Sequence, residues 1–256
     1  LLPIGLSFHT FQAMSYTIEV YRGNQKAERN FGIYSLYVMF YPQLVAGPIE
    51  RPQNILHQFR IQHKFEYNNV SAGLKQMLWG FFKKVVIADR LAIGVDEVYN
   101  HLDSYTGVAL IIATIFFSIQ IYCDFSGYSD IALGTARLFG IELLRNFSFP
   151  YFSRDIAEFW RRWHISLSSW LRDYVYIPFG GNKKGFSLQM LFLLLTMLIG
   201  GFWHGANWTF IVWGFLNALY IMPSIIFNTN RNNLEIVAQG KYIPNLKDLF
   251  SIGITF

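Results

Sequence analysis

A run of 46 residues between Lys184 and Arg231 contains no Asp, Glu, Lys or Arg. One membrane-spanning helix needs about 20 predominantly apolar residues, so this run is long enough for two. The composition agrees, because the 256 residues are 53% hydrophobic and 14% charged, whereas soluble domains average about 25% charged residues. Disorder, nucleic-acid binding and a secreted fold built on disulfides are therefore disfavoured. We predict an all-α fold, a polytopic transmembrane helical bundle.

Several segments are candidates for the helices of this bundle. Within the long run, spans are predicted at 186–202 and 206–227, on either side of Trp203-His204-Gly205. Another span is predicted at 104–123, and a separate, shorter helix at 125–140, where small residues would let helices approach closely. Residues 1–18 and 31–49 are uncharged but interrupted by polar residues or prolines, and 70–98 carries a helical apolar pattern.

The net charge of +5 is unevenly distributed, since residues 145–184 hold seven Lys/Arg and three Asp/Glu. A basic block between membrane segments is typical of a cytoplasmic or headgroup-facing loop. Within it, Trp and Leu recur at three- and four-residue steps beside arginines over 155–176. This pattern predicts one amphipathic helix lying in the membrane interface.

The chain begins Leu1-Leu2-Pro3, without an initiator Met or a signal peptide, and stops inside the apolar run 249–256. We therefore expect an internal fragment of a longer membrane protein, with a single membrane domain over 1–256 that is truncated at both ends. Cys123 is the only cysteine, so an intramolecular disulfide and a multi-cysteine metal site are excluded, and no metal site is predicted.

His204 is the strongest candidate for a functional residue, because burying an ionisable side chain at membrane depth costs free energy and such residues are usually functional. It lies between two predicted spans beside Gly200, Gly201 and Gly205, which would allow the close approach of a substrate. A histidine titrates near neutrality and can take and return a proton at physiological pH. The alternative is a tight, solvated turn of Trp203, His204 and Gly205 at the membrane surface.

A second candidate is His164 on the predicted amphipathic helix. Arg161, three residues before it, and Ser168, four residues after it, would share its helix face. Such a face would bind an anionic or hydroxyl-bearing ligand, and Arg161 and Arg162 would pair with a phosphate-bearing donor. The alternatives are an interfacial histidine that anchors the helix, and arginines that contact only lipid headgroups.

Asp124 and Asp130 flank a small polar segment after the span predicted at 104–123. This carboxylate pair would relay protons or bind cations; alternatively it caps the following helix or hydrogen-bonds aromatic side chains. Cys123 is interpreted as a packing residue, since no histidine stands near it in sequence to activate a nucleophile. The remaining histidines have no supporting residues around them: His9, His57, His63 and His101.

Several motifs resemble those of the membrane-bound O-acyltransferase (MBOAT) family. FWRRWHISLS at 159–168, followed by WLRDY at 170–174, resembles its central signature, and GFWHGANW at 201–208 resembles its second. CDFSGYSD at 123–130, LVAGPIER at 44–51 and GLSFHTF at 5–11 are similar to the bacterial branch typified by the alginate O-acetyltransferase. The resemblance covers about residues 1–220, with the core motifs within 117–215.

The resemblance implies a multi-pass enzyme of the inner or plasma membrane. Such an enzyme transfers an acyl group, here expected to be acetyl, from a cytoplasmic thioester donor towards hydroxyls of an exported polysaccharide such as alginate. It also implies a ring of helices with interfacial or re-entrant elements around a thinned membrane centre. The two histidines of the family map onto His204, as the catalytic base, and His164, as a second catalytic or ligand-positioning residue.

A tetrahedral oxyanion would need hydrogen-bond donors, and Asn207, Trp203 and Trp208 carry N–H groups near His204. No bound cofactor is implied; the donor is acetyl-CoA or an acyl-carrier thioester acting as co-substrate. The expected partners are the lipid bilayer, the polysaccharide acceptor, a periplasmic acetyltransferase and an acyl-carrier protein, with no nucleic acid. The residues expected to bind substrate or donor are Arg161, Arg162, Ser168, Asn207, Trp203 and Asp124.

Two other functions stay open on the sequence. A proton-coupled transporter or channel would use Asp124, Asp130 and the histidines as a relay, but repeats of the hydrophobic pattern would be expected and none is visible. A non-catalytic scaffold of a polysaccharide export complex would use the basic segment 155–176 as a docking surface.

Overall fold

The computed structural model describes residues 6–44, 46–238 and 243–256, and every regular element within these ranges is helical. The chain divides into two compact units, unit 1 (Leu1–Arg145) and unit 2 (Asn146–Phe256). The all-α prediction is therefore confirmed, whereas the single membrane domain over 1–256 stays a prediction. Some residues used in the sequence analysis lie outside the described ranges, namely Leu1-Leu2-Pro3, Gly5 and Val45.

The helices are divided between the two units. Unit 1 contains α1 (Leu6–Tyr21), α2 (Phe31–Met39), α3 (Pro52–Ile55), α4 (Tyr67–Phe81), the π-helical segment Phe82–Ala88, α5 (Asp89–Asn100) and α6 (Gly107–Leu138). Unit 2 contains α7 (Ile156–Arg162), α8 (Ile165–Leu171), the π-helical segment Arg172–Tyr176, α9 (Ile177–Phe179), α10 (Phe186–His204), α11 (Trp208–Ile226) and α12 (Leu246–Thr255).

Among the described helices, α6, α10 and α11 are long and apolar enough to cross a membrane. The spans predicted at 186–202 and 206–227 are confirmed as α10 and α11, and the polytopic membrane bundle with them. The prediction of two helices at 104–123 and 125–140 is wrong, because α6 runs through both for 32 residues. The charge of Asp124 does not end the helix, since Lys84 forms an ion pair with its carboxylate. Asp124 and Asp130 therefore lie inside a helix and do not cap one.

Helices α4 and α6 cross where glycines face each other. A Cβ atom on Gly80 would lie 2.6 Å from the carbonyl oxygen of Gly127, and one on Gly73 would lie 2.7 Å from that of Gly134. The two contacts are about two turns apart on each helix, so the backbones touch over a continuous stretch. The prediction that small residues of 125–140 let helices approach closely is confirmed. The buried ones are Gly127, Ser129, Ala132, Gly134 and Ala136.

Charged and polar side chains pair along the same crossing. The buried Lys83 ammonium contacts the Asp130 carboxylate at 2.5 Å and donates to the Ser126 hydroxyl at 2.9 Å. Gln76 links Asp130 to Arg137, because its Nε2 donates to the carboxylate at 3.0 Å and its Oε1 accepts from the guanidinium at 2.8 Å. A charge removed from water needs such partners. These contacts favour a structural role for Asp130.

In unit 2, α10 and α11 pack closely as an antiparallel pair. A Cβ atom on Gly214 would lie 2.5 Å from the carbonyl oxygen of Met197, and one on Gly201 would overlap the carbonyl oxygen of Phe210. His204 ends α10 and three residues connect it to α11. Since the helices are antiparallel, the C-terminal end of α11 lies beside the N-terminal end of α10.

Replacing Gly80 by Val should destabilise unit 1, because the added side chain must push α4 away from the Gly127 carbonyl. Overpacking of this kind costs about 1–3 kcal/mol, which should lower the midpoint of thermal unfolding in detergent. Gly94→Ala is the matched control, since a Cβ atom on this α5 glycine meets no atom within 4 Å and losing a helix glycine is neutral or stabilising. Unfolding of Gly80→Val at the wild-type temperature would contradict the close crossing.

Candidate active site

The basic segment is broken at His164. Helix α7 ends at Arg162 and α8 begins at Ile165, and between them His164 has left-handed backbone angles, φ 44° and ψ 54°. The prediction of one amphipathic helix over 155–176 is therefore wrong, and so is the helix face shared by Arg161, His164 and Ser168. The break buries the imidazole, which is 2% exposed. Its tertiary contacts offset the roughly 1–3 kcal/mol that a left-handed non-glycine residue costs.

Asn146 holds this break in place. Its side-chain oxygen lies 3.1 Å from His164 Nδ1, and it accepts from the Ser166 backbone N–H at 3.2 Å and hydroxyl at 2.9 Å. Its backbone carbonyl accepts from the Ile165 N–H at 2.9 Å. Burial, and after it the positive charge that His204 can carry, lowers the pKa of His164 to about 3. His164 is therefore neutral at physiological pH.

His204, the last residue of α10, is surrounded by aromatic rings. The centroid of its imidazole lies 4.9 Å from that of Trp203, 5.2 Å from that of Trp213 and 6.2 Å from that of Phe210. The Trp203 ring also lies edge-on to His164, at a centroid distance of 6.2 Å. One indole therefore contacts both predicted catalytic histidines, and unit 2 brings them together.

His204 lines a cavity of about 970 Å³. The α10 residues around it recur at three- and four-residue steps, so the cavity follows one face of this helix over about 27 Å at 1.5 Å per residue. Arg172 and Tyr176 of the π-helical segment add to the lining, as does Arg231 beyond the end of α11. The α10 residues are Phe186, Gln189, Leu193, Thr196, Met197, Gly200 and His204.

The arginines of α7 make contacts within unit 2. Arg161 lines the cavity, and its Nη1 and Nη2 donate to the backbone carbonyls of Asn230 at 2.8 Å and Asn233 at 2.9 Å. Arg162 pairs with Glu158 Oε1 at 2.6 Å. The binding of a donor by both arginines stays a prediction, and the structure gives Arg161 a further task. It holds a segment of the cavity lining in place.

The buried carboxylate of Glu158 joins several parts of unit 2. Besides Arg162, it accepts from the Arg154 backbone N–H at 2.7 Å and from the Arg154 guanidinium at 3.1 Å. Arg154 also donates to the Glu235 carbonyl at 2.7 Å and pairs with Asp248 of α12 at 3.5 Å. Burial alone would raise the pKa of Glu158, but the hydrogen bonds from both arginines hold it below its ordinary value.

Other predicted residues near the histidines have assigned contacts. Asn207 caps α11, because its Oδ1 accepts from the Thr209 N–H at 3.1 Å. Ser168 lines the cavity, and its hydroxyl donates to the Trp163 carbonyl at 3.2 Å. Trp208 is 79% exposed. Stabilisation of an oxyanion by Asn207 or the tryptophans stays a prediction.

Asp124, Asp130 and Cys123 all belong to α6 of unit 1, where Cys123 is buried as a free thiol. Within the described ranges, no cluster of three or more His, Cys, Asp or Glu side chains is arranged to hold a metal ion. His57, His63 and His101 each contact a backbone carbonyl oxygen through one ring nitrogen.

Two residues that shape the site, Asn146 and Glu158, are not predicted from the sequence. Glu158 had a usable signal, because it lies four residues from both Arg154 and Arg162, the spacing of neighbours on a helix. Asn146 had none, since it lies 18 residues before His164 in an irregular segment.

Comparison with known proteins matches residues 24–256 to the membrane-bound O-acyltransferase family. The "Probable alginate O-acetylase AlgI" of Pseudomonas putida is 46% identical over 86% of this chain and 45% of the relative. The "Peptidoglycan O-acetyltransferase" of Helicobacter pylori is 39% identical over 86% of this chain and 46% of the relative. The "Teichoic acid D-alanyltransferase" of Bacillus subtilis is 30% identical over 99% of this chain and 65% of the relative. The chain spans about half the length of the alginate O-acetylases that it matches.

Arg161→Lys should loosen residues 228–235. Lysine keeps the charge but cannot donate as a fork to the carbonyls of both Asn230 and Asn233. Loss of one charge-assisted hydrogen bond, worth about 1.5–3 kcal/mol, should speed amide exchange there about tenfold or more. Hydrogen–deuterium exchange with mass spectrometry measures this. Arg172→Lys is the control, because Arg172 lines the same cavity but donates to Asp173; equal exchange in both variants would count against the role of Arg161.

Buried His164 should make stability depend on pH. Its pKa is about 3 in the fold, below the ordinary 6.5, so between these values the unfolded chain binds one more proton than the folded chain. The free energy of unfolding that neutral, buried His164 contributes is fully present above the unfolded pKa. It is lost as pH falls, by about 1.4 kcal/mol per pH unit. Unfolding of wild type and His164→Gln over this range measures it. Equal slopes in the two proteins would show that His164 is not buried in its neutral form.

Proposed function

The chain belongs to the membrane-bound O-acyltransferase family. We therefore propose that it transfers an acyl group, namely acetyl, from a thioester donor towards hydroxyls of an exported polysaccharide such as alginate. His204 acts as the general base. One observation carries this assignment: His204 lines a cavity that follows the whole length of α10, a helix long enough to cross a membrane. A donor entering from one side can thus reach a base at the far end.

The start of α10 is the end of the cavity that suits the anionic part of the donor. Arg231 lies beyond α11, which returns to this end, and Arg172 begins the π-helical segment whose Tyr176 hydrogen-bonds Gln189 in the first turn of α10. From Gln189 to His204 the helix rises about 22 Å. We propose that the phosphate groups of acetyl-CoA or of an acyl-carrier thioester bind near Arg172 and Arg231. The extended, thioester-bearing arm of the donor then reaches His204.

The chemistry needs a base because an alcohol is a poor nucleophile at neutral pH. The His204 imidazole takes the proton of the acceptor hydroxyl as its oxygen bonds to the thioester carbonyl carbon. The tetrahedral intermediate then breaks its carbon–sulfur bond, and His204 returns the proton to the departing thiolate. A positioned base contributes about 10²–10⁴ in rate, and the rings of Trp203, Phe210 and Trp213 flank the His204 imidazole.

The acceptor class rests on the relatives. They are named for transfer to alginate, to peptidoglycan and to teichoic acid, and the identity is 46% to an alginate O-acetylase against 30% to a D-alanyltransferase. This ranking supports acetyl as the acyl group and a polysaccharide as the acceptor. We further propose a periplasmic acetyltransferase that completes the transfer, and an acyl-carrier protein as partner where the donor is a carrier thioester.

The other functions have less support. A proton relay through Asp124 and Asp130 is disfavoured because Lys84 and Lys83 pair with these carboxylates. A docking surface made of the arginines of α7 is disfavoured because Arg161 and Arg162 bind groups of unit 2.

His204→Ala in the full-length protein should lower the acetyl content of the exported polysaccharide by about 100-fold or more, since the base is lost. Mass spectrometry of the purified polymer measures acetylation, and membrane fractionation should show an unchanged amount of protein. His101→Ala is the matched control, because His101 is an exposed histidine whose Nδ1 contacts the Glu97 carbonyl oxygen. Wild-type acetylation in His204→Ala would remove His204 from the mechanism.

A further inference from the structure

We infer that Asn146 is a positioning residue that holds His164 in the tautomer with its proton on Nδ1, so that Nε2 is a hydrogen-bond acceptor. The part of this inference that concerns catalysis rests on the proposed function. The tautomer itself follows from hydrogen bonds within unit 2, and it is measurable whether or not the protein transfers acyl groups.

The hydrogen-bond neighbours of Asn146 identify its side-chain oxygen. The oxygen and nitrogen of an amide have nearly the same shape, so only their neighbours distinguish them. The Ser166 backbone N–H lies 3.2 Å from one of these atoms, and a backbone N–H can only donate. That atom is therefore the oxygen, and the Ser166 hydroxyl donates to it as well, at 2.9 Å.

The Asn146 oxygen in turn determines which ring nitrogen of His164 carries the proton. Its Nδ1 lies 3.1 Å from the same Asn146 oxygen, which can only accept. Nδ1 must therefore carry a proton. Because the imidazole is buried and neutral, the other nitrogen, Nε2, bears a lone pair.

The main chain and two aromatic neighbours keep the His164 ring in this orientation. Asn146 is itself buried, and its backbone carbonyl accepts from the Ile165 N–H at 2.9 Å, so the main chain fixes it beside the turn. The His164 ring centroid lies 6.4 Å from that of Phe147 and 6.2 Å from that of Trp203. Turning the ring would move Nδ1 away from the Asn146 oxygen, and both neighbours oppose such a turn of a buried ring.

The consequence is a division of tasks between the two histidines. In this tautomer Nε2 of His164 can accept a hydrogen bond, but it cannot donate one to an oxyanion. Donors for the oxyanion must then come from other groups. His204, which lines the cavity, takes and returns the proton.

Nitrogen-15 NMR of the full-length protein labelled at histidine tests the tautomer directly. The His164 signals are identified by their loss in His164→Gln. In the wild type we expect a protonated Nδ1 and an unprotonated Nε2. A protonated Nε2 with an unprotonated Nδ1 would overturn the inference, and this outcome is separate from any failure of the proposed function because no turnover is needed.

Variants of Asn146 test its role. Asn146→Leu removes the acceptor and should lose the single tautomer, with kcat lower by about tenfold or more and the donor KM within about twofold. Asn146→Asp keeps an oxygen acceptor and should keep the Nδ1–H tautomer and recover part of kcat, with a new pH dependence because a carboxylate favours charged imidazole. Ser166→Ala is the control, since the backbone N–H of Ser166 that identifies the oxygen remains.

Two results with these variants would overturn the positioning role. One is a folded Asn146→Leu protein with wild-type kcat and an unchanged tautomer. The other is an Asn146→Asp protein whose His164 carries its proton on Nε2 alone. If Asn146→Leu fails to fold, the spectra of the wild type and Asn146→Asp decide the matter.

Discussion

Unit 2, which holds the candidate active site, depends on the ion pairs of the buried Glu158 carboxylate with Arg154 and Arg162. A charge taken out of water must be paired, and Arg154 and Arg162 both donate to it. The same arginines donate to the Glu235 carbonyl, and Arg154 also pairs with Asp248. One carboxylate thus connects α7, the polar segment after α11 and α12. Removing one partner of a buried pair costs about 3–5 kcal/mol, so the cavity lining formed by this segment depends on the pairing.

The two histidines reach different environments although both stand in aromatic motifs. His164 sits at a left-handed turn, buried and bonded to Asn146, while His204 ends a membrane-length helix and lines the cavity. Trp203 contacts both rings. We propose that these environments separate the tasks of the two histidines, since His204 lines the cavity in which the donor is proposed to bind.

In unit 1, charged side chains lie within the long apolar helix α6 and are paired there. In α6 the carboxylate of Asp130 meets Lys83, and glycines at the crossing with α4 let the two backbones come close enough for this contact. Small residues and polar pairs are the usual means of helix association where the hydrophobic effect is weak. The same closeness makes the crossing sensitive to added volume at Gly80.

The sequence by itself determined the membrane class, the helices α10 and α11 and the two histidines to consider. The length of an uncharged run reports directly on the thickness of hydrocarbon it can cross, and the ordered motifs indicated the family. Only the tertiary structure decided that α6 is continuous, that 155–176 breaks at His164 and that Asn146 holds the break. Each of these depends on partners far along the chain, such as Lys84 for Asp124 and Asn146 for His164. Local periodicity does not record those partners, although their hydrogen bonds and charges offset the cost of a buried ion or a left-handed residue.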